Sequence, residues 1–363
     1  MRLLAVDIGQ GTQDLLLLDT KQNIENCPRL ITPSCTQLVA RQIEAATRKR
    51  QDILLTGFIM GGGPNTRALK DHLTAGVKAF STPTAARTFC DDLEKVKEMG
   101  VVLVSEDEAK KMGGVLKIEL RDIRLEDISR ALSALGVEPS FDALAVAVMD
   151  HGEAPLKTSD RYFRFQHLRR SVEKGGDFIS FSYLRDEIPG YLTRMRSLAS
   201  SMELDATLLV MDTGAAAALG SLEDREVKKH GHLSLVNAGN GHTLAFHLKD
   251  RRILGLFEHH SGKMTGALLS RLVEELVRGK LTMEKVYDDG GHGCYVIGGS
   301  RGKPFVSITG PRREVASGLG YYMAAPFGDM MLTGCFGLAR ALSWKKPQWR
   351  EEIESVLGKS YLR

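Results

Sequence analysis

The sequence predicts an α/β fold built from two similar lobes, and three observations carry that reading. Short apolar strands alternate with helical stretches along much of the chain, the pattern of sheets covered by helices. Two segments, "LLAVDIGQGTQDLLLLD" and "LSLVNAGNGHTLAFHLKD", share one grammar: an apolar strand, a polar residue (Asp7, Asn237), x-Gly-x-Gly, a polar turn, and a second apolar strand. The length of 363 residues suits two domains at roughly 150 residues each.

The elements follow in order. "RLLAVDI" and "DLLLLD" flank a glycine-rich turn and read as a hairpin. "SCTQLVARQIEAATRKR" opens on a Ser cap and has helical spacing. "DILLTGFIM" reads as a buried strand ending in Gly61, Gly62, Gly63 and Pro64, with a helix from Asn65 whose N-terminus could bind an anion or simply turn the chain. A helix near 85–99, a strand at "VVLVS", a helix near 125–135 and a strand at "DALAVAVMD" continue the alternation. Residues 155–205 are more polar and read as a helical insertion. "ATLLVMD" is a strand, "TGAAAALGSL" an Ala-rich helix, and "EDREVKKHGH" a charged connector. The expected lobes are therefore 1–222 and 223–363. In the second, "GALLSRLVEELVRG" has one apolar face, "CYVIGGS" is a strand ending in two glycines, and "MLTGCFGLARAL" is a helix of small residues suited to close packing.

Composition narrows the function. Net charge is +4, from 49 Lys+Arg against 45 Asp+Glu, which gives no electrostatic footprint for nucleic acid or a membrane surface. The short basic stretch "RYFRFQHLRR" reads as a solvated helix face. No apolar run is long enough to span a bilayer and the N-terminus is not a signal peptide, so a cytoplasmic location is expected. The five cysteines have no close ligand spacing and read as reduced thiols; a cluster shared between subunits would need few per chain.

Two glycine-rich hairpins that face one another across a cleft can hold a phosphate chain from both sides. At Gly9, Gly11, Gly239 and Gly241 backbone N–H groups can approach the oxygens. Thr12 and Thr243 can donate hydroxyl hydrogen bonds. Gln10, Gln13, Asn240 and His242 offer further polar contacts. Asp7, at a strand end, can hold a hydrated Mg²⁺. Either turn alone is also compatible with a plain tight hairpin. Asp150 and His151 close another strand and could face a phosphate or an acceptor, or simply form a bonded turn. His259 and His260 are neighbours on a strand and point to opposite faces, which disfavours joint metal ligation.

These residues carry a resemblance to the superfamily of sugar kinases, heat-shock chaperone ATPases and actin. "DIGQGT" resembles its first phosphate motif, "MDTGAAAALG" the first connecting motif, "LVNAGNGHT" the second phosphate motif, "YVIGGSRGKP" the adenosine motif, and "LTGCFGLARAL" the second connecting motif. Within it the chain is similar to a prokaryotic family of unknown function, some of whose members are named "putative pyruvate formate-lyase activating enzyme". True activating enzymes are radical SAM proteins with a C-x-x-x-C-x-x-C motif, which is absent here.

The resemblance implies two ribonuclease-H-like lobes closing on ATP and Mg²⁺. Gly298 and Gly299 would lie against the nucleoside, with Ser300 and Lys303 touching base or ribose. Asp212 falls where hexokinase-like members keep a general base, although it could equally cap the Ala-rich helix, and the two roles can coexist. The second phosphate motif usually opens with Asp, and here it is Asn237, which adds no charge. The implied activity is ATP hydrolysis or phosphoryl transfer to a small metabolite. The alternatives are a nucleotide-binding regulatory or chaperone-like protein with little turnover, or an ATP-driven activator of a partner enzyme.

Overall fold

A computed structural model describes residues 1–155 and 157–360. Its strands are β1 (Arg2–Ile8), β2 (Thr12–Asp19), β3 (Arg29–Pro33), β4 (Ile53–Gly57), β5 (Ala79–Ser81), β6 (Val102–Leu103), β7 (Leu116–Leu120), β8 (Ala143–Val148), β9 (Ser182–Leu184), β10 (Thr207–Asp212), β11 (His232–Ala238), β12 (His242–Lys249), β13 (Arg252–His260), β14 (Gly293–Val296), β15 (Phe305–Thr309) and β16 (Tyr322–Met323).

The apolar alternation in the two matched segments produces two matched sheets. The first runs β3-β2-β1-β8-β10-β9 and the second β14-β13-β12-β11-β15-β16. In both, the first three strands in sequence form an antiparallel meander. The next two lie parallel beside its first strand: β8 and β10 in one sheet, β15 and β16 in the other. This is the ribonuclease-H-like order, and two such units make the fold that of actin-like ATPases. β1, β8 and β10 are buried on both faces, so they read as unbroken apolar runs rather than alternating ones.

A third sheet, β6-β5-β4-β7, is wholly parallel. It is inserted between β3 and β8, and a core around Val39, Ile43, Leu55, Leu69 and Ile118 holds it to its helices. The helix expected near 85–99 is two short ones, Pro83–Ala86 and Leu93–Glu98. The 155–205 region contains the helices Asp160–Gly175 and Thr193–Ser200, but also β9, which adds an antiparallel strand to the first sheet.

The two large sheets are tied together by the helices Thr213–Ser221 and Thr333–Lys345. The first follows β10 yet packs on β11, β12 and β15. The second follows the second sheet yet packs on β1, β2 and β8. Their close approach needs the small residues seen in the sequence. Gly220 lies against the carbonyl of Thr333 and Gly337 against that of Ala216, with no room for a Cβ at either. No helix among the described residues is long and apolar enough to cross a membrane.

Candidate functional site

The two glycine turns are built alike. Gly9 N donates to Thr12 O at 2.8 Å and Gly239 N to His242 O at 3.0 Å. After each turn the chain that follows the meander bonds back: Ser34 N to Gly11 O, and Ser261 N to Gly241 O. One constant offset maps Asp7 onto Asn237, Gly9 onto Gly239, Gln10 onto Asn240, Gly11 onto Gly241 and Thr12 onto His242.

The turns face each other closely. A Cβ on Gly11 would sit 2.7 Å from Asn240 Nδ2, and one on Gly241 2.9 Å from Gln10 Oε1. Only residues without side chains let the two loops approach this far. Gln10 also reaches the Gly61–Gly63 loop, where a Cβ on Gly63 would lie 2.5 Å from its Nε2.

Between the turns is a pocket lined by Asp7, Gly9, Gln10, Thr12, Asp14, Thr213, Asn237, Gly239, Asn240, Thr309, Gly310, Pro311, Met330 and Thr333. Asp7 and Asp14 are opposite one another in the β1–β2 register. Burial pushes the Asp7 carboxyl up to about 7; Thr213 Oγ1, donating at 2.6 Å, opposes that shift and the charge of Asp212 adds to it. Burial, then the charge of Asp7, pushes Asp14 up to about 8. Asp14 Oδ1 is buried without a hydrogen-bond partner. Two buried carboxylates, one with an unpartnered oxygen, are the donor set a hard divalent cation takes. The residues present therefore fit Mg²⁺, and Asp14 belongs to the set although it lies outside the "DIGQGT" motif.

Several expected site residues lie elsewhere. Gln13 alternates to the other face of β2, where its Nε2 donates to Thr32 Oγ1 at 3.0 Å. Thr243 is one position too late in the second turn; it is buried and shares a 2.8 Å hydrogen bond with Ser261. His242 stands where the first turn has Thr12. Gly298, Gly299, Ser300 and Lys303 form the β14–β15 connection at the far end of the second sheet. Ser300 Oγ bonds His232 Nε2 at 2.7 Å and His247 Nε2 at 3.0 Å. His232 is the first residue of β11, whereas the phosphate-type turn follows its last. The two ends are on the order of 20 Å apart. What reaches the cleft beside Asn237 is the other end of β15, at Thr309, Gly310 and Pro311. The glycine pair in "VIGGS" matched the motif as a string, but the strand parallel to β11 is "FVSIT".

The two expected catalytic carboxylates are held by the fold. Asp212 Oδ1 accepts from the N–H groups of Gly214 and Ala215, as the cap of its helix. Its Oδ2 accepts from Arg164 Nη1 at 2.9 Å. It is buried and lines neither pocket. Asp150 accepts from Gly152 N and Met195 N, both at 2.8 Å. The structure shows the capping role of Asp212, which the sequence allowed alongside the general-base role.

Next to the turns opens a wider chamber that shares Gln10, Thr213, Asn237, Gly239 and Asn240 with the smaller pocket. Its wall includes the Gly61–Gly63 loop, Asp91, Asp160, Arg161, Arg194, His151, His242, His260 and His292. Beneath it Arg164 binds Glu258 through two parallel bonds at 2.7 and 2.8 Å and bridges it to Asp212. Asp91 is half-buried, and burial followed by the charges of Asp160 and Glu153 pushes its carboxyl up to about 6. Burial, with the Arg164 guanidinium, pushes His151 well below the usual imidazole range; burial is also the main cause for His292, and for His242 down to about 4. His259 turns away from this group toward Asp289 at 3.4 Å, as strand alternation requires. His292 carried no sequence signal beyond standing before a strand. Of the five cysteines only Cys90 is not buried, and it too lines the chamber.

The sequence model of one family, described as "Putative pyruvate format-lyase activating enzyme (DUF1786)", matches residues 60–315. No curated protein matches the chain. Among solved structures, the ethanolamine utilization protein EutJ from Carboxydothermus hydrogenoformans is 12% identical, with 94% of this chain and 89% of that chain covered and a TM-score of 0.35. The apo ParM protein of psk41 is 12% identical over 97% and 99%, with a TM-score of 0.32. The ROK hexokinase from Thermus thermophilus is 11% identical over 70% of this chain and 48% of that one, with a TM-score of 0.24.

Proposed function

The chain belongs to the family described as "Putative pyruvate format-lyase activating enzyme (DUF1786)", and from the geometry of its cleft we propose that it binds a magnesium–nucleoside triphosphate, ATP in the first instance, between lobes 1–222 and 223–363. One observation carries this reading: two glycine turns with matching hydrogen bonds, one from each large sheet, meet across a pocket floored by the buried carboxylates Asp7 and Asp14. Backbone N–H groups of Gly9–Thr12 and Gly239–His242 would hold phosphate oxygens. Asp7 and Asp14 would hold the ion, which when bound neutralises charge on the terminal phosphates. Thr309–Pro311 and Met330 would flank the nucleoside, in place of Gly298–Lys303. Asn237, without charge, orients rather than neutralises.

The chamber beyond the turns is wide enough for an acceptor, so hydrolysis or phosphoryl transfer to a small metabolite is the reading we favour. With Asp212 and Asp150 held by the fold, we assign proton abstraction to Asp91, a half-buried carboxylate of the chamber wall. A second reading, a nucleotide-binding regulator or activator of a partner enzyme with little turnover, is favoured by Asn237 at the position that usually carries Asp.

Calorimetry with Mg²⁺ and ATP tests the binding. The wild type should bind one nucleotide per chain, and Asp7→Asn should weaken binding at least tenfold in Mg²⁺ but much less in EDTA. Absence of binding by the wild type overturns the proposal. A turnover assay with candidate acceptors separates the two readings.

A further inference from the structure

The chamber contains a feature that nucleotide binding does not use. His151, His242 and His292 come from three places in the chain, yet their ligating nitrogens all lie within 4.8 Å of one another. Among the described residues they form the one group of three or more His, Cys, Asp or Glu side chains placed this way. His151 follows β8 of the first sheet, whereas His242 opens β12 and His292 precedes β14 in the second. The group therefore spans the cleft.

Their ligating nitrogens converge. His292 Nε2 and His151 Nε2 are 3.4 Å apart. Two nitrogens bound to one zinc ion at 2.0–2.1 Å in a tetrahedron lie about 3.3 Å apart. His242 Nε2 is buried without a hydrogen-bond partner, and the His242 and His292 ring centroids are 4.8 Å apart. Behind the group, His292 Nδ1 also has no hydrogen-bond partner and lies 3.9 Å from Glu258 Oε2. Glu258 is itself clamped by Arg164. At that distance the carboxylate makes no hydrogen bond to the ring, but it stands on the side where a ligating imidazole presents its other N–H.

We propose that His151, His242 and His292 form a three-histidine site for a divalent transition-metal ion of the zinc type, clipped between the two lobes with its fourth position open to the chamber. Imidazole donors select such ions over Mg²⁺, which would keep to the carboxylates of the neighbouring pocket. The open position gives the ion a Lewis-acid role toward an anionic or carbonyl group of whatever fills the chamber. The site stands on its own geometry and requires no nucleotide.

The test uses the full chain without nucleotide. The protein is stripped with chelator and titrated with Zn²⁺ by calorimetry, then with Co²⁺, whose visible spectrum reports tetrahedral nitrogen ligation. The expected result is one ion per chain, a tetrahedral Co²⁺ spectrum, and a rise in melting temperature with Zn²⁺. His151→Asn, His242→Asn and His292→Asn should each weaken Zn²⁺ binding at least tenfold and abolish the thermal shift. His232→Asn, at the far end of the second sheet, should leave both unchanged. If His292→Asn, the fully buried member, fails to fold, the partly exposed His151 and His242 carry the test. Sub-stoichiometric binding, or affinity unchanged in those variants, overturns the proposal and leaves a hydrogen-bonded histidine cluster. Metal binding with no nucleotide binding would refute only the proposed function, and the reverse only this site.

Discussion

Arg164 Nη1 donates to Asp212 Oδ2 at 2.9 Å, and both side chains are 1% exposed. Arg164 also holds Glu258 bidentately, so one guanidinium links the end of β10 in the first sheet to β13 in the second. Buried charges of this kind are tolerated only while paired. Removing Asp212 leaves the Arg164 fork half-satisfied and uncaps the helix that follows. Asp212→Ala should therefore destabilise the fold by about 3–5 kcal/mol. Asp212→Asn should also lower stability, because the amide keeps the cap acceptor but loses the charge. Urea unfolding measures both. A turnover defect at wild-type stability would restore the general-base role.

The connecting helices set a second expectation. Gly337 packs against the Ala216 carbonyl and Gly220 against that of Thr333. Gly337→Val would force the crossing apart where the two helix backbones touch. Overpacking costs about 1–3 kcal/mol in a core that can relax. Backbone opposite backbone relaxes poorly, so the loss should reach the upper part of that range, and differential scanning calorimetry should show a lower melting temperature. Gly262→Ala, on an exposed turn where a Cβ meets nothing within 4 Å, is the neutral control.

The paired turns were legible in the sequence because backbone chemistry there leaves a residue signature. Glycine at Gly9, Gly11, Gly239 and Gly241 admits close approach, and a strand-end polar residue marks the mouth of a sheet. The "GAAAALG" and "GCFGLARAL" helices were legible for the same reason, since close packing demands small side chains. The adenosine motif was misplaced because a Gly-Gly pair is a cheap match. Only pairing tells which strand runs parallel to β11, and register is not written locally. Thr243 was misjudged by one position, and that slip turns a side chain to the opposite face of a strand. Of the inserted sheet, β4 and β6 were expected as strands, whereas β5 and β7 gave no clear apolar run. The histidine group was hidden because its members come from distant segments, and only the third dimension unites them.

Acid should loosen the fold through His167. This side chain is 3% exposed, faces the Tyr191 hydroxyl at 3.1 Å, and is pushed down to about 4 by burial and then by the Arg164 charge. An unfolded histidine titrates near 6.5. As pH falls below that value the unfolded chain takes up a proton that the folded chain refuses until about 4. The His167 contribution is therefore complete above about 6.5, is lost between 6.5 and 4, and is flat below. At about 1.4 kcal/mol per pH unit, the loss by pH 5 is roughly 2 kcal/mol for this one group. Urea midpoints at pH 7 and pH 5 should differ, and His167→Gln should reduce the difference. An unchanged difference would show that the other buried histidines carry the acid sensitivity.

The proposed hydrolysis or transfer makes Asp91 the group expected to set the pH dependence of turnover. A general base must be unprotonated in the resting site and works best when its pKa lies near the working pH. Asp91 lines the chamber beside Asp160, is half-buried, and is raised to about 6 by burial first and then by neighbouring carboxylates. Deprotonation through pH 6 should switch activity on, so nucleotide turnover should fall on an acid limb centred near that value. Asp91→Asn cannot accept the proton. It should lower turnover about a hundredfold or more, remove the acid limb, and leave Mg²⁺–ATP affinity within a few-fold, since Asp91 is outside the phosphate pocket. Asp160→Asn removes one of the charges that raises Asp91, so it should shift the limb to lower pH without abolishing activity. A limb that stays in place in both variants would assign the proton to another group.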